Sequence, residues 1–469
     1  MTQSSSARPG QSGALVQFDH RRRRGAELFL LVLALVVGVG AYAAVGLGVK
    51  HQVPADIVSY GGWLAALIVA AHIVVRLVAP YADPVLLPIV AALNGLGLAV
   101  IRRLDVATAH HYARQQLIWM TIGVALFVAT LLILRDHRVL QRFTYTCGLG
   151  AIVLLLLPMA PGIGKTVNGA RIWIHLGSMS FQPGEVAKVL LVVAFAGYLV
   201  LHRDALALAG RRVAMVDLPR GRDLGPILAM WLVSLGILVF QHDLGSSVLF
   251  FGLFLIMLYV ATERAGWLVV GAGLFAVGSY LSYVLIAHVQ ERFQLWWNVW
   301  AHYGQGTDDT GRQSVETMFG MAWGGLLGRG LGQGSPWRIP FAQSDFIFGS
   351  IGEELGLTGS IAVILLYGLL VERALRAALI SRDDIGKLLA TGLGGALALQ
   401  VFVVIGGVTR LIPLTGLTTP FLSYGGSSLV ANWVIVAILL RISDAARRPP
   451  PDLSVPDDAD VESTQVIKL

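Results

Sequence analysis

One cysteine, Cys147, stands among 469 residues, and only 13% of them are charged. A lone cysteine excludes a disulfide framework and a thiolate metal site. The shortage of charge excludes an ordinary soluble surface, which needs about 25% of its residues charged. Other signatures are missing as well. The sequence holds no zinc-ligand spacing, no phosphate-binding glycine loop, no Ser-His-Asp signature and no nucleic-acid module. The glycines of GGLLGRGLGQG follow no strand, so they do not make a dinucleotide site. No period of roughly 20–50 residues marks a repeat array.

What fills the chain instead is apolar, 55% of it. A bilayer is crossed by about 20 successive apolar residues. The runs predict an all-α polytopic membrane protein with about 12 transmembrane helices. They lie near 26–48, 57–79, 85–101, 115–134, 144–160, 185–202, 225–241, 246–262, 267–287, 347–371, 388–407 and 427–444. The net charge of +7 does not point to nucleic acid, because the basic residues sit at the ends of apolar runs. With the N-terminus inside, inner segments hold roughly 23 Lys and Arg and outer ones roughly 12, as the positive-inside rule requires. The clearest inner loops are 135–142, 203–222 and 372–387. An even span count then returns the C-terminus to the cytoplasm. The first run is too long for a signal-peptide core and is read as a retained helix. The polar ends, 1–25 and 445–469, are expected to be disordered cytoplasmic segments.

Two outer connections are unusual, 162–182 and 288–344. A connection as long as the second is functional or disordered as a rule. Trp296, Trp297, Trp300, Trp323 and Trp337 argue against disorder. Residues 290–300 read as an amphipathic segment for the membrane interface. Residues 318–334 suggest a short helix followed by a tight turn.

Ionisable groups near the outer span ends stand out, because charge in low dielectric needs a partner or a task. Four clusters emerge. In NGARIWIHLGSMSFQPGEVAKVLL, Pro183 suits a first helical turn and Glu185 suits the helix dipole. Lys188 lies one turn on and can pair with Glu185; alternatively, Lys188 and Arg171 hold an anionic phosphate. In HDLGSSVLFF, Asp243 can cap the helix that follows. In SDFIFGSIGEELGL, Asp345 can do the same, while Glu353 and Glu354 lie deeper and need a cation such as Arg410 or Lys188. In TRLIPLTGLTTPFLSYGGSSLV, Pro413, Gly416, Pro420, Gly425 and Gly426 forbid one regular helix. Irregular backbone at membrane depth must be protein-packed or line a cavity, and Ser423, Tyr424, Ser427 and Ser428 offer it donors.

Together these motifs resemble the SEDS family, the RodA, FtsW and SpoVE proteins, over roughly residues 85–444. NGARIWIHLG…QPGEVAK, QHDLGSS, GGLLGRGLGQG…SDFIFGSIGEELG and LIPLTGLTTPFLSYGGSS each have a counterpart there. The resemblance implies a ten-helix core, here 80–444 with a large extracellular loop at 288–344. Two additional N-terminal helices, 26–79, are an addition to that core. It implies a peptidoglycan glycosyltransferase for cell elongation and shape, most like the elongation member, with the division-type polymerase as the alternative. The growing glycan on undecaprenyl pyrophosphate would be the donor and lipid II the acceptor. A class B penicillin-binding protein and other wall-elongation proteins would be partners, and nucleic acid would not. Asp345 matches the family's essential aspartate and would be the general base. Glu185 and Lys188 match its polar pair, with Lys188 facing the leaving pyrophosphate. Arg171, Trp173, Asp243, Gln343, Ser344, Glu353, Glu354, Arg410, Ser423, Tyr424 and Ser427 complete the expected substrate site. No cofactor is certain, and a divalent cation, Mg2+ or Mn2+, is compatible with the chemistry. Four positions depart from the pattern: Ile172 stands for Arg, Gly184 for Ser, His242 for Pro and Gln343 for the common His. The active site is expected at the outer face of the plasma membrane. Two other readings use the same features: a lipid II flippase or transporter, and a scaffold of the wall machinery.

Overall fold

The computed structural model describes residues 24–167, 170–176, 179–203, 211–213, 216–218, 221–303 and 309–449. The disorder expected at 1–23 and 450–469, and Asn168 and Gly169 of the first motif, lie outside the described residues. Helix reaches further toward both ends than expected, beginning at Arg24 and closing at Arg447.

The helices, in chain order, are α1 (Arg24–Lys50), α2 (Ile57–Val78), α3 (Leu86–Thr108), α4 (Tyr112–Ile133), α5 (Thr144–Leu156), α6 (Pro183–Leu201), α7 (Gly221–Phe240), α8 (Leu244–Thr262) and α9 (Gly266–Leu285). Then follow α10 (Ala287–Trp297), α11 (Asp309–Gly324), α12 (Ile347–Glu354), α13 (Gly356–Ile380), α14 (Asp384–Val408) and α15 (Gly426–Arg447). Among the described residues, 10 helices are long and apolar enough to cross a membrane. The two remaining predicted spans correspond to the shorter apolar helix Gly225–Phe240 and to α13. The chain is a multi-pass membrane protein. Its enclosed centre is built from α3, α6, α14 and α15, whereas α1, α2 and above all α9 turn most of their length outward. Phe29, Val36, Leu77 and Leu285 are among the exposed apolar side chains, as a lipid solvent demands.

The sequence reading differs from the structure in three places. The helix expected over 347–371 is two helices, broken where Gly356 takes φ +67. Only glycine enters that region without strain, and an added Cβ would stand 2.3 Å from Gly328 N. Residues 162–182 carry an antiparallel sheet, β1 (Gly164–Val167), β2 (Ala170–Leu176) and β3 (Met179–Phe181), with Lys165 opposite Trp173 and Ile174 opposite Phe181. A second hairpin pairs β4 (Arg211–Val213) with β5 (Val216–Leu218). These strands sit in connections and leave the spans wholly helical.

The third difference concerns Glu353 and Glu354, which pair with neither Arg410 nor Lys188. Arg103, near the end of α3, donates from Nε to Glu354 Oε1 at 2.9 Å and from Nη2 to Gly334 O at 2.8 Å. Both partners are almost wholly buried. Glu354 Oε2 also accepts from Gly332 N at 3.1 Å, and Glu353 Oε1 from Ser335 N at 2.6 Å. The two carboxylates therefore hold the glycine-rich turn 325–334 against α12. Helical periodicity shows that such groups are buried but not which helix faces them, which is why Arg103 escaped notice. Removing one member of a buried ion pair leaves the other charge uncompensated, at a cost of about 3–5 kcal/mol. Arg103→Met should lower the unfolding temperature in detergent sharply. The double variant Arg103→Met, Glu354→Gln should recover part of that loss; strictly additive losses would show that the two side chains act separately.

Candidate active site

Asp345 and Asp243 look alike in sequence, each an aspartate ahead of an apolar helix. The structure separates them. Asp243 caps α8, its Oδ1 accepting from Ser246 N at 3.0 Å. Asp345 does not cap α12: the boundary residue is Phe346, and no side-chain cap hydrogen bond forms there. Phe346, Ile347 and Phe348 are buried, so they pin the turn while the half-buried Asp345 carboxylate stays out of the backbone. Burial pushes that carboxyl up to about 6, against the pull of the Arg292 guanidinium and the Ser344 hydroxyl.

The segment 409–425 shapes the ground around this carboxylate. It is irregular, as its prolines and glycines predicted, and Gly426 already belongs to α15. Ser423 Oγ donates to Ser344 O at 2.6 Å and accepts from Thr419 N at 2.9 Å. Tyr424 N donates to Gln343 O at 2.8 Å, and its hydroxyl meets Gln115 on α4. Gln116 Nε2 donates to Ser423 O at 3.0 Å. Ser423 and Tyr424 thus fasten the two residues before Asp345, while Ser427 is buried in the first turn of α15. Gly416, at φ +74, lets the segment pass close to the carboxylate. A Cβ there would lie 3.8 Å from Asp345 Oδ2 and 4.0 Å from Arg292 Nη2.

Arg292 is the residue that sequence reasoning missed. It lies on α10, within the stretch read only as an interfacial segment. Its Nη1 donates to Leu414 O at 3.1 Å and its Nε to His288 Nε2 at 3.1 Å. One turn further, Trp296 Nε1 donates to Arg410 O at 3.0 Å, and Arg410 Nη2 returns a bond to Trp296 O at 2.6 Å. Arg410 is therefore a clasp between α10 and the irregular segment. The Arg292 guanidinium is attracted by both Asp243 and Asp345. A basic residue spaced one turn before Trp296 on an amphipathic segment was the available signal.

Lys188 and Glu185 form the pair expected from their spacing, at 2.7 Å and almost fully buried. Lys188 Nζ also donates to Gln400 Oε1 at 2.7 Å, and Gln400 Nε2 to Thr418 O at 2.9 Å. Two of the three ammonium donors are thereby engaged within the wall. Asp243 is near enough to both Glu185 and Arg292 to feel their charges. Arg171, on β2, donates to Ala160 O at 3.3 Å, and Trp173 pairs with Lys165 across β1. Ile172, where the family usually has Arg, lines a small cavity with Gln182, Gln241 and Asp243. Glu353 and Glu354 serve the glycine-rich turn instead. Among the described residues no three His, Cys, Asp or Glu side chains converge to hold a metal ion, and Arg292 already supplies the positive charge between Asp243 and Asp345.

Comparison with known proteins gives the family. Peptidoglycan glycosyltransferase RodA of Mycobacterium tuberculosis is 47% identical over 91% of this chain and 92% of its own. A probable peptidoglycan glycosyltransferase FtsW of Geobacter metallireducens is 32% identical over 72% of this chain and 87% of its own. A solved chain from a study of structural coordination of polymerization and crosslinking by a peptidoglycan synthase complex is 28% identical. It superposes with a TM-score of 0.53, covering 81% of this chain and 96% of that one. The family model for FtsW, RodA and SpoVE, described as a cell cycle protein, matches residues 84–448, and the chain belongs to that family.

Proposed function

We propose that this chain polymerises lipid II into glycan strands for cell-wall elongation, with Asp345 as general base. The observation that carries the reading is the uncapped Asp345 carboxylate, fixed by its neighbours and facing Arg292. A base titrating near 6 is mostly ionised at neutral pH and still accepts a proton readily. The acceptor sugar's 4-hydroxyl oxygen attacks C1 of the donor sugar as Asp345 takes its proton. The bond from C1 to the pyrophosphate oxygen breaks, and the lipid pyrophosphate leaves with the electron pair. Attack from the face opposite the leaving group inverts C1. Arg292 holds Asp345 ionised until the proton arrives, and the Glu185–Lys188 pair and Asp243 form the wall beside it. No step is routed through a metal ion.

The greater identity to the RodA relatives than to the FtsW relative supports an elongation role. The likeness to a synthase complex supports a penicillin-binding protein of class B as the partner that crosslinks the strands. The distribution of Lys and Arg supports cytoplasmic termini and a site at the outer membrane face.

Asp345→Asn should insert and fold as the native chain does, yet yield no polymer from lipid II when mixed with the partner synthase. Native polymer yield from that variant would remove Asp345 from the chemistry. Lipid II crossing vesicles without polymer from the native protein would replace this reading with transport. The pH dependence follows from the same charges. The base must be ionised, so kcat/KM should fall about tenfold per pH unit below about 6. Arg292 draws the Asp345 pKa down, so Arg292→Met should move that acidic limb to higher pH. A limb that stays in place, or moves down, would show that Arg292 does not act on the base.

A further inference from the structure

The helices α1 and α2 precede the family-matched residues, which start at 84. We propose that α1 is a brace for the active site. Its last turn clamps the glycine-rich turn 325–334 and, through α12, sets the position of Asp345. The activity arm of this inference rests on the glycosyl-transfer reading, while its structural arm stands apart from it.

Gly48, in the last turn of α1, meets the glycine-rich turn backbone to backbone. A Cβ on Gly48 would lie 2.2 Å from Leu331 O and 3.0 Å from Gly332 Cα. The closing turn of a helix leaves carbonyls without intrahelical donors. Gln333 supplies one of them, its Nε2 donating to Gly48 O at 2.8 Å. Gly332 has φ +87, so the turn can present its backbone this closely only with glycine there. The contact joins two elements far apart in sequence, and neither glycine tolerates a side chain at it.

The brace is itself anchored. Tyr42 on α1 stacks on Tyr60 of α2 with ring centroids 3.8 Å apart, and its hydroxyl donates to Asp56 Oδ2 at 2.8 Å. Arg102 on α3 reaches the same carboxylate at 3.3 Å. Arg103, its neighbour, holds Glu354. Adjacent arginines on α3 therefore tie the α1–α2 hairpin and the glycine-rich turn to one support. From the turn the connection inward is short. Gly330 N donates to Glu354 O at 2.8 Å and Gly332 N to Glu354 Oε2 at 3.1 Å. Glu354 ends the eight-residue α12, all of which is buried, and Asp345 lies just before its start. A shift of the turn moves a stiff, buried helix whose other end carries the base.

Gly48→Ala tests this in the full-length protein with its partner synthase. Alanine favours a helix over glycine, so the substitution damages only the contact beyond α1. Gly40→Ala, in the same helix with open space around its Cβ, is the control. Hydrogen exchange should quicken in Gly48→Ala at 330–335 and again at 344–350. Because a misplacement of about 1 Å can cost a hundredfold in rate, kcat should fall about tenfold or more with KM unchanged. Gln333→Ala, which removes only the hydrogen bond to Gly48 O, should shift the same readouts in the same direction by less. Gly40→Ala should match the native protein. Native exchange at 330–335 in both Gly48→Ala and Gln333→Ala would overturn the clamp. Faster exchange confined to 330–335 with native kcat would overturn its link to Asp345. If the native protein makes no polymer, the glycosyl-transfer reading falls, and exchange at 344–350 still decides the brace.

Discussion

Arg103 and Glu354 meet 2.9 Å apart with almost no exposure of either side chain, and the shape of the Asp345 end of the bundle depends on that contact. A charge inside an apolar bundle is tolerable only when its partner is fixed and its remaining hydrogen bonds are filled. Here they are filled by backbone, from Gly332 N on one side and to Gly334 O on the other. The pair thus converts an electrostatic necessity into a positioning device. Polar groups elsewhere in the bundle obey the same constraint. Glu27 on α1 meets His72 on α2 at 2.8 Å, both buried. Asp83, just before α3, meets Arg447 at the end of α15. Arg441 places both terminal nitrogens on carbonyls, those of Val78 and Leu131. Each buried charge selects particular partner helices, so the charges fix which helices are neighbours in a way that apolar contacts alone do not.

Against that background Asp345 is exceptional. Its carboxylate is neither a helix cap nor one half of a tight ion pair, although it stands on a turn whose residues on both sides are committed. The backbones of Gln343 and Ser344 are held by Tyr424 and Ser423, and Phe346 is buried. Asp243, which presents the same local sequence, has its carboxylate taken up by Ser246 N. The difference between the two aspartates is whether the first helical turn reaches back to the side chain.

The spans could be read from the sequence because lipid imposes a length and an apolar composition on each run. The irregular segment 409–425 could be read because Pro413, Gly416 and Pro420 exclude a helix whatever surrounds them. The Glu185–Lys188 contact followed from helical spacing alone. Arg292 could not be placed, since its role depends on α10 folding back over Gly416, a contact between segments distant along the chain. The partners of Glu353 and Glu354 were hidden for the same reason. The sheet at 164–181 had a usable signal, since Asn-Gly between β-branched and aromatic runs marks a hairpin. That signal was obscured because the same residues also carried a motif.

Lys188 answers to the same constraint. Glu185 lies in the first turn of α6, Asp243 at the boundary of α8, and Asp345 just ahead of α12. All three carboxylates therefore sit near the positive ends of helices. Lys188 is needed beside Glu185 because burial makes a lone carboxylate there costly, and its bond to Gln400 turns the ammonium further into the wall. A pair neutral as a whole projects little field beyond its own length. Asp345 and Arg292 act on each other instead. That is the region where the backbone is least regular and where side-chain positions owe most to distant parts of the chain.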